Sequence, residues 1–134
     1  MHIRKYNKAK DENQLMKMIG DEKGWDYAND RMAEKYKLAL EKSVTYVAYY
    51  DSKLCGFSRS IDDCGLYIYV CDLLVEPAFR GQNTGRKLME CISRDYPDQI
   101  VYMMSDVDRY YKKLGYERAG SVLTVPNHFL RESI

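Results

Sequence analysis

The chain has 134 residues, enough for one domain with a real hydrophobic core and too few for two ordinary ones. Lysine and arginine total 21 against 20 for aspartate and glutamate, and a net charge of +1 gives no field for gripping a nucleic-acid backbone or an anionic membrane. Apolar runs such as Leu73 to Val75 are far shorter than a membrane span, and Met1, His2, Ile3, Arg4, Lys5 is no signal peptide, so a cytoplasmic protein is expected, with neither nucleic acid nor membrane as partner.

In chain order, His2 to Tyr6 can open as a short strand. Asp11 and Gln14 then make a capping-box-like pair ahead of Leu15, Met18 and Ile19 on one helical face, and Gly20 is placed to end that helix. Asp21 to Tyr27 is polar and turn-like around Trp25. Met32, Tyr36, Ala39 and Leu40 recur at helical spacing and predict a second helix from about Asn29 to Glu41.

Val44 to Tyr50 and Leu54 to Ile61, parted by a turn at Asp51 to Lys53, read as a hairpin. A turn at Asp62 to Gly65 leads into Leu66 to Val75, apolar on both faces as a central strand should be. Pro77 ends that strand, Ala78 to Asn83 is a loop, and Leu88, Met89 and Ile92 mark one face of a helix from about Thr84 to Arg94. Ile100 to Met104 predicts a strand, and Val107, Tyr110 and Leu114 a short helix capped at Gly115. Tyr116 to Ile134 predicts one or two strands broken at Pro126. An antiparallel meander followed by β-α units implies a mixed sheet with helices on its faces, of α+β class, or α/β in looser usage.

The four cysteines, Cys55, Cys64, Cys71 and Cys91, show no C-x-x-C spacing, and only His2 and His128 could complete a metal set, so no metal is expected. Reduced, buried thiols are the favoured reading for the three in or beside strands. Most of the 13 tyrosines suit half-buried sheet positions, which leaves location to single out a chemical one.

The junction Val75 to Lys87 carries the strongest signal. A buried strand running through a loop into a helix presents free backbone N–H groups and the positive end of the helix dipole. Small residues let an anion approach, and Arg80 and Arg86 can add charge-assisted hydrogen bonds. A diphosphate fits; on spacing alone, a plain glycine-containing turn with solvated arginines fits as well. Neither a Walker loop nor a G-x-G-x-x-G fingerprint is present.

Arg80, Gly81, Gln82, Asn83, Thr84, Gly85, Arg86, Lys87 and Leu88 resemble the signature loop of the GCN5-related N-acetyltransferases (GNAT), commonly R-G-x-G-[IV]-G, with Asn83 where the middle glycine usually sits. If that position needs a left-handed backbone, asparagine is the next most tolerant residue. Leu73, Leu74, Val75 and Pro77 are similar to the family's strand-to-loop pattern. The resemblance implies that backbone groups of Leu73, Leu74 and Val75 pair with the pantetheine arm of acetyl-CoA while Arg80, Gly81, Gln82, Asn83, Thr84, Gly85 and Arg86 hold its diphosphate. It also implies one GNAT domain over 1–134, with a mixed six- to seven-stranded central sheet flanked by about four helices.

Tyr110 to Glu117 resemble the family's F-Y-x-[KR]-[LM]-G-F segment, which implies Tyr111 as the general acid for the leaving thiolate and Tyr110 as a packing residue. A phenol held beside that sulfur can protonate it. The stretch Ser105 to Arg109 is shorter than the family's usual approach to this helix.

Asp72, in an apolar strand and in the same alternating set as Leu74, is the candidate base, since a partly buried carboxylate accepts a proton more readily; satisfying backbone donors at a bulge is the other reading. By resemblance the acceptor lies over the first two helices and their connection. There Glu22, Trp25, Asp26 and Tyr27 could hold a cationic amine, with Trp25 and Tyr27 as substrate-binding residues. A polar loop anchored by one tryptophan is the alternative. The implied activity is direct transfer of acetyl from acetyl-CoA to the primary amine of a small molecule, and the alternative is a non-catalytic acyl-CoA-binding module. A homodimer could form by edge pairing of the strands after Gly120.

Overall fold

The structure, a computed structural model, describes residues 1–105 and 107–129, and the chain divides into two compact units, Met1–Met103 and Met104–Ile134. In the first unit β1 (His2–Lys5) leads to α1 (Lys8–Asp21), α2 (Ala33–Lys42), β2 (Val44–Tyr50), β3 (Lys53–Asp62) and β4 (Tyr67–Val75). A single 3-10 turn, Pro77–Phe79, precedes α3 (Thr84–Asp95) and β5 (Ile100–Met103).

The strands form one sheet in the order β1-β2-β3-β4-β5, antiparallel except for the parallel pair of β4 and β5. The sheet is thus mixed, as expected, but has five strands among the described residues where six or seven were expected. The shortfall lies after Tyr116. No described residue from 116 to 129 enters a ladder, because an alternating apolar pattern suits a strand but does not supply it with a partner. Asp106, and the part of those predicted strands in 130–134, lie outside the described residues.

Asn7, and not Asp11, caps α1. The Asn7 side chain accepts from the Lys10 N–H at 3.2 Å, and Asp11 reaches back to the Asn7 N–H at 2.7 Å. Asp11 itself is fully buried, gripped by Arg4 through two bonds of 2.6 and 2.7 Å and by the Tyr49 hydroxyl at 2.7 Å. Burial pushes its carboxyl up, and the bonds from Arg4, the Asn7 amide and Tyr49 outweigh that and hold it below its ordinary value. The pair therefore ties β1 to the first turn of α1. The second helix starts at Ala33 and not at Asn29, because the Asn29 side chain accepts from the N–H groups of Arg31 and Met32 and closes a turn there.

One face of the sheet packs Val47, Leu54, Phe57 and Leu74 against Leu15, Met18 and Ile19 of α1 and Tyr36 and Leu40 of α2. Each such buried side chain contributes about 1.5–3 kcal/mol. On α3, Leu88, Met89 and Ile92 are buried, the single apolar face that the sequence predicted. Cys55 and Cys91 are buried thiols, whereas Cys71 is half-buried and Cys64 sits exposed in the β3–β4 turn at φ 52°, so the core reading fails for Cys64. In the second unit, α4 (Asp108–Lys113) ends at Gly115, whose φ of 91° and N–H bond to the Lys112 carbonyl at 3.0 Å make the C-terminal cap that was expected. No helix of the described residues is long and apolar enough to cross a membrane.

Candidate active site

β4 ends the sheet's antiparallel part and opens its candidate site. Its ladder with β5 runs only from Tyr67 to Val70, because β5 stops at Met103, whereas its ladder with β3 continues to Val75. A bulge at Cys71, the extra residue between the pairs Ser60↔Val70 and Arg59↔Asp72, sits at the point where the two ladders diverge. Leu73, Leu74 and Val75 therefore lie on a strand segment paired to β3 on one side and past the end of β5 on the other. An extended chain such as a pantetheine arm is chemically suited to backbone groups on that edge.

The loop after β4 is fixed at its start. Phe79 stacks on Tyr50 with centroids 5.2 Å apart, and the Glu76 N–H donates to the Cys55 carbonyl at 2.8 Å. Beyond it, Gly81 has φ 83° and Asn83 has φ 63° and ψ 18°. The substitution of asparagine for the usual glycine thus falls on a left-handed residue, the conformation that asparagine tolerates best after glycine.

Asn83 makes no side-chain cap, and the first helical bond runs from the Lys87 N–H to the Asn83 carbonyl at 3.0 Å, so the N–H groups of Thr84, Gly85 and Arg86 lie ahead of the ladder. The hydroxyl of Thr84 is buried and has no hydrogen-bond partner among the described residues, in a residue 2% exposed. An orphan hydroxyl and three leading amides at the positive end of a helix fit an anion. Gln82 completes the loop between the two left-handed residues. Both arginines of the loop are engaged elsewhere. Arg80 donates through Nε to the Val75 carbonyl at 2.9 Å and through Nη2 to Glu22 at 3.1 Å, and Arg86 pairs with Glu90 one turn on at 3.3 Å.

Asp72 shares its sheet face with Leu74, as its alternation predicted, and lies 7% exposed in a polar cluster. Its Oδ2 accepts from Arg59 Nε and from the Tyr36 hydroxyl, each at 2.7 Å, and the Arg59 guanidinium also lies 5.4 Å from the Tyr36 ring centre. Burial, then Asp72, push the Tyr36 phenol far above its ordinary value, so it stays a neutral donor. Burial lowers the Arg59 guanidinium, and its contact with Asp72 more than restores it. Sequence reasoning took Tyr36 for a core residue and passed over Arg59. The available signal was the inward position of Arg59, two residues from buried Phe57, since an inward cation needs a counter-ion.

Trp25 and Tyr27 join this cluster. Tyr27 stacks on Tyr36 with centroids 4.3 Å apart, and Trp25 meets Tyr27 and Phe57 edge-on at 5.8 and 6.2 Å. The structure brings Asp72, Trp25 and Tyr27 to one face of the first unit, while Asp26 is exposed. In the second unit Tyr111 is half-buried and stacks on Tyr116 at 5.3 Å, and the Tyr116 N–H returns to the Tyr111 carbonyl at 3.1 Å. Tyr110, expected to pack, is 48% exposed.

Two proteins named as uncharacterized N-acetyltransferase ycf52 are similar to this chain over 111 residues. That of Pyropia yezoensis is 26% identical and that of Gracilaria tenuistipitata var. liui 30%, each over 75% of this chain. The chain spans only about three fifths of their length, 62% and 59%. An aminoglycoside N-acetyltransferase solved in complex with CoA shares the fold with a TM-score of 0.75, at 14% identity and over 95% of this chain and 94% of that one. The family model of the acetyltransferase (GNAT) domain matches residues 41–118, a stretch that takes in β4, the left-handed loop, α3 and Tyr111, and by that match the chain belongs to the GNAT acetyltransferases.

Proposed function

We propose that this protein transfers acetyl from acetyl-CoA to a primary amine of a small molecule, without a covalent enzyme intermediate. The observation that carries the reading is the junction of β4 and α3, where leading amides and the orphan Thr84 hydroxyl suit a diphosphate and the strand edge past Val70 suits the pantetheine arm. Membership of the family and a fold neighbour that binds CoA support it. The amine nitrogen attacks the thioester carbonyl, the C–S bond breaks, the departing thiolate takes the Tyr111 phenol proton, and the second proton that the nitrogen loses on collapse returns through solvent to the Tyr111 phenolate. Asp72, whose Oδ2 is held by Arg59 and Tyr36, is the proposed carboxylate that orients the ammonium while water carries its first proton away. Trp25 and Tyr27 offer ring faces to a cationic acceptor. Chemically the reaction needs no metal.

The test is thiol release from acetyl-CoA with spermidine, glucosamine, kanamycin, free lysine and a dipeptide as acceptors. Wild type should turn over at least one, and Tyr111→Phe should lower kcat by about 100-fold or more while CoA still binds. If CoA binds and no amine is acetylated, the chain is an acyl-CoA-binding module and the enzyme reading is lost.

A further inference from the structure

We infer that Arg80 and Glu22 form an exchangeable latch, through which occupation of the diphosphate loop frees a carboxylate to receive the acceptor ammonium. The inference rests on the acyl-CoA reading above and adds to it a residue and a coupling between cofactor and acceptor. Arg80 is the loop's first basic residue, yet its guanidinium faces back, donating to the Val75 carbonyl at the end of β4 and to Glu22. Glu22 stands 58 positions earlier in the chain, at the C-terminal cap of α1, where its own N–H bonds the Ile19 carbonyl. Its carbonyl accepts from the Trp25 N–H at 3.2 Å, so Glu22 and Trp25 belong to one turn. The Arg80–Glu22 ion pair therefore joins the anion loop to the turn that carries Trp25.

The charges decide what happens next. A diphosphate carries more charge than one carboxylate and accepts from a guanidinium bidentately, so Arg80 turns from Glu22 to the incoming anion. The pair it leaves is weak, since Arg80 is 51% exposed and Glu22 21%. The Val75 carbonyl is vacated in the same movement, on the strand segment proposed to meet the pantetheine arm. Glu22 is then an unpaired carboxylate in the same turn as Trp25, and a carboxylate together with an aromatic side chain can hold an alkylammonium. Before the cofactor arrives, Arg80 competes with the acceptor for that carboxylate, so cofactor binding favours acceptor binding by about two- to fivefold. Glu22 is a specificity residue under this scheme, and the turn it sits in depends on backbone bonds that Glu22→Gln retains.

Three measurements on the intact chain test the latch. Calorimetric titration of CoA into Glu22→Gln should show binding about two- to fivefold tighter than wild type, because the competing carboxylate is gone. A merely structural contact would give equal or weaker binding, and that result overturns the latch. Trp25 is the only tryptophan, so its emission reports on this turn. CoA should shift that emission in wild type, while Glu22→Gln should begin near the shifted spectrum and respond less; equal responses overturn the latch. For any acceptor in the amine panel that wild type acetylates, Glu22→Gln should raise the acceptor KM severalfold with little change in kcat, and an unchanged KM overturns it too. Wild type that fails to bind CoA would remove the acyl-CoA reading itself, an outcome distinct from wild type that binds and a variant that does not bind tighter.

Discussion

Asn83 shows how a single residue can depart from a family pattern and keep its geometry. A left-handed backbone costs an ordinary L-residue about 1–2 kcal/mol relative to glycine, and asparagine pays less because its short polar side chain bonds locally. At φ 63° the chain uses this tolerance at the last residue before α3, where a misplaced turn would swing the leading amides away from an anion. Asn83→Ala should therefore lower stability by about 1 kcal/mol, read as a shift of roughly 3–5 °C in the melting midpoint, and should weaken CoA binding. Asn83→Gly should change stability by less than about 0.5 kcal/mol, since relief of strain and greater freedom of the unfolded chain oppose each other. An alanine variant with the wild-type midpoint would show that the loop does not need the left-handed residue.

Between elements, the position of the site depends on how closely α3 approaches β3 and β4. Gly56 of β3 lies beneath the first turn of α3, and a Cβ there would meet the Leu74 carbonyl at 3.2 Å and Thr84 Cγ2 at 3.4 Å. The carbonyl belongs to the β3–β4 ladder and cannot retreat, so the strain passes to the start of the helix. Gly56→Ala should cost about 1–2 kcal/mol in a denaturant titration and should weaken CoA binding more than a surface change of equal stability cost. Elements like these were legible in the sequence because their signals are local: helical spacing of Leu88, Met89 and Ile92 set α3, and Gly81 with Asn83 marked the loop. The partners were not legible. Asp72 meets Tyr36 across 36 positions and Arg80 meets Glu22 across 58, and neither separation leaves a periodic trace. Asp72 was expected among apolar neighbours, and the Arg59 guanidinium that compensates its charge had to be seen in place.

At the scale of the whole molecule, the described residues of each unit include a stretch of exposed apolar side chains. β5 is the outer strand of the described sheet, with Ile100 62% and Tyr102 36% exposed. In the second unit Leu123 and Val125 are each 83% exposed and Phe129 96%, in a run that reads as strand yet enters no described ladder. Open edges and exposed apolar runs invite pairing with another chain, and we propose a second copy, the homodimer expected from the sequence, as that partner. Sedimentation over a range of protein concentrations should accordingly give a monomer–dimer equilibrium for wild type. The paired change Leu123→Asp with Val125→Asp places charge where the partner's apolar surface would lie and should hold the protein monomeric, with an unchanged melting profile for the first unit because neither residue belongs to its core. A wild-type chain that stays monomeric at the highest concentration would mean that this run serves something other than a second copy of the protein.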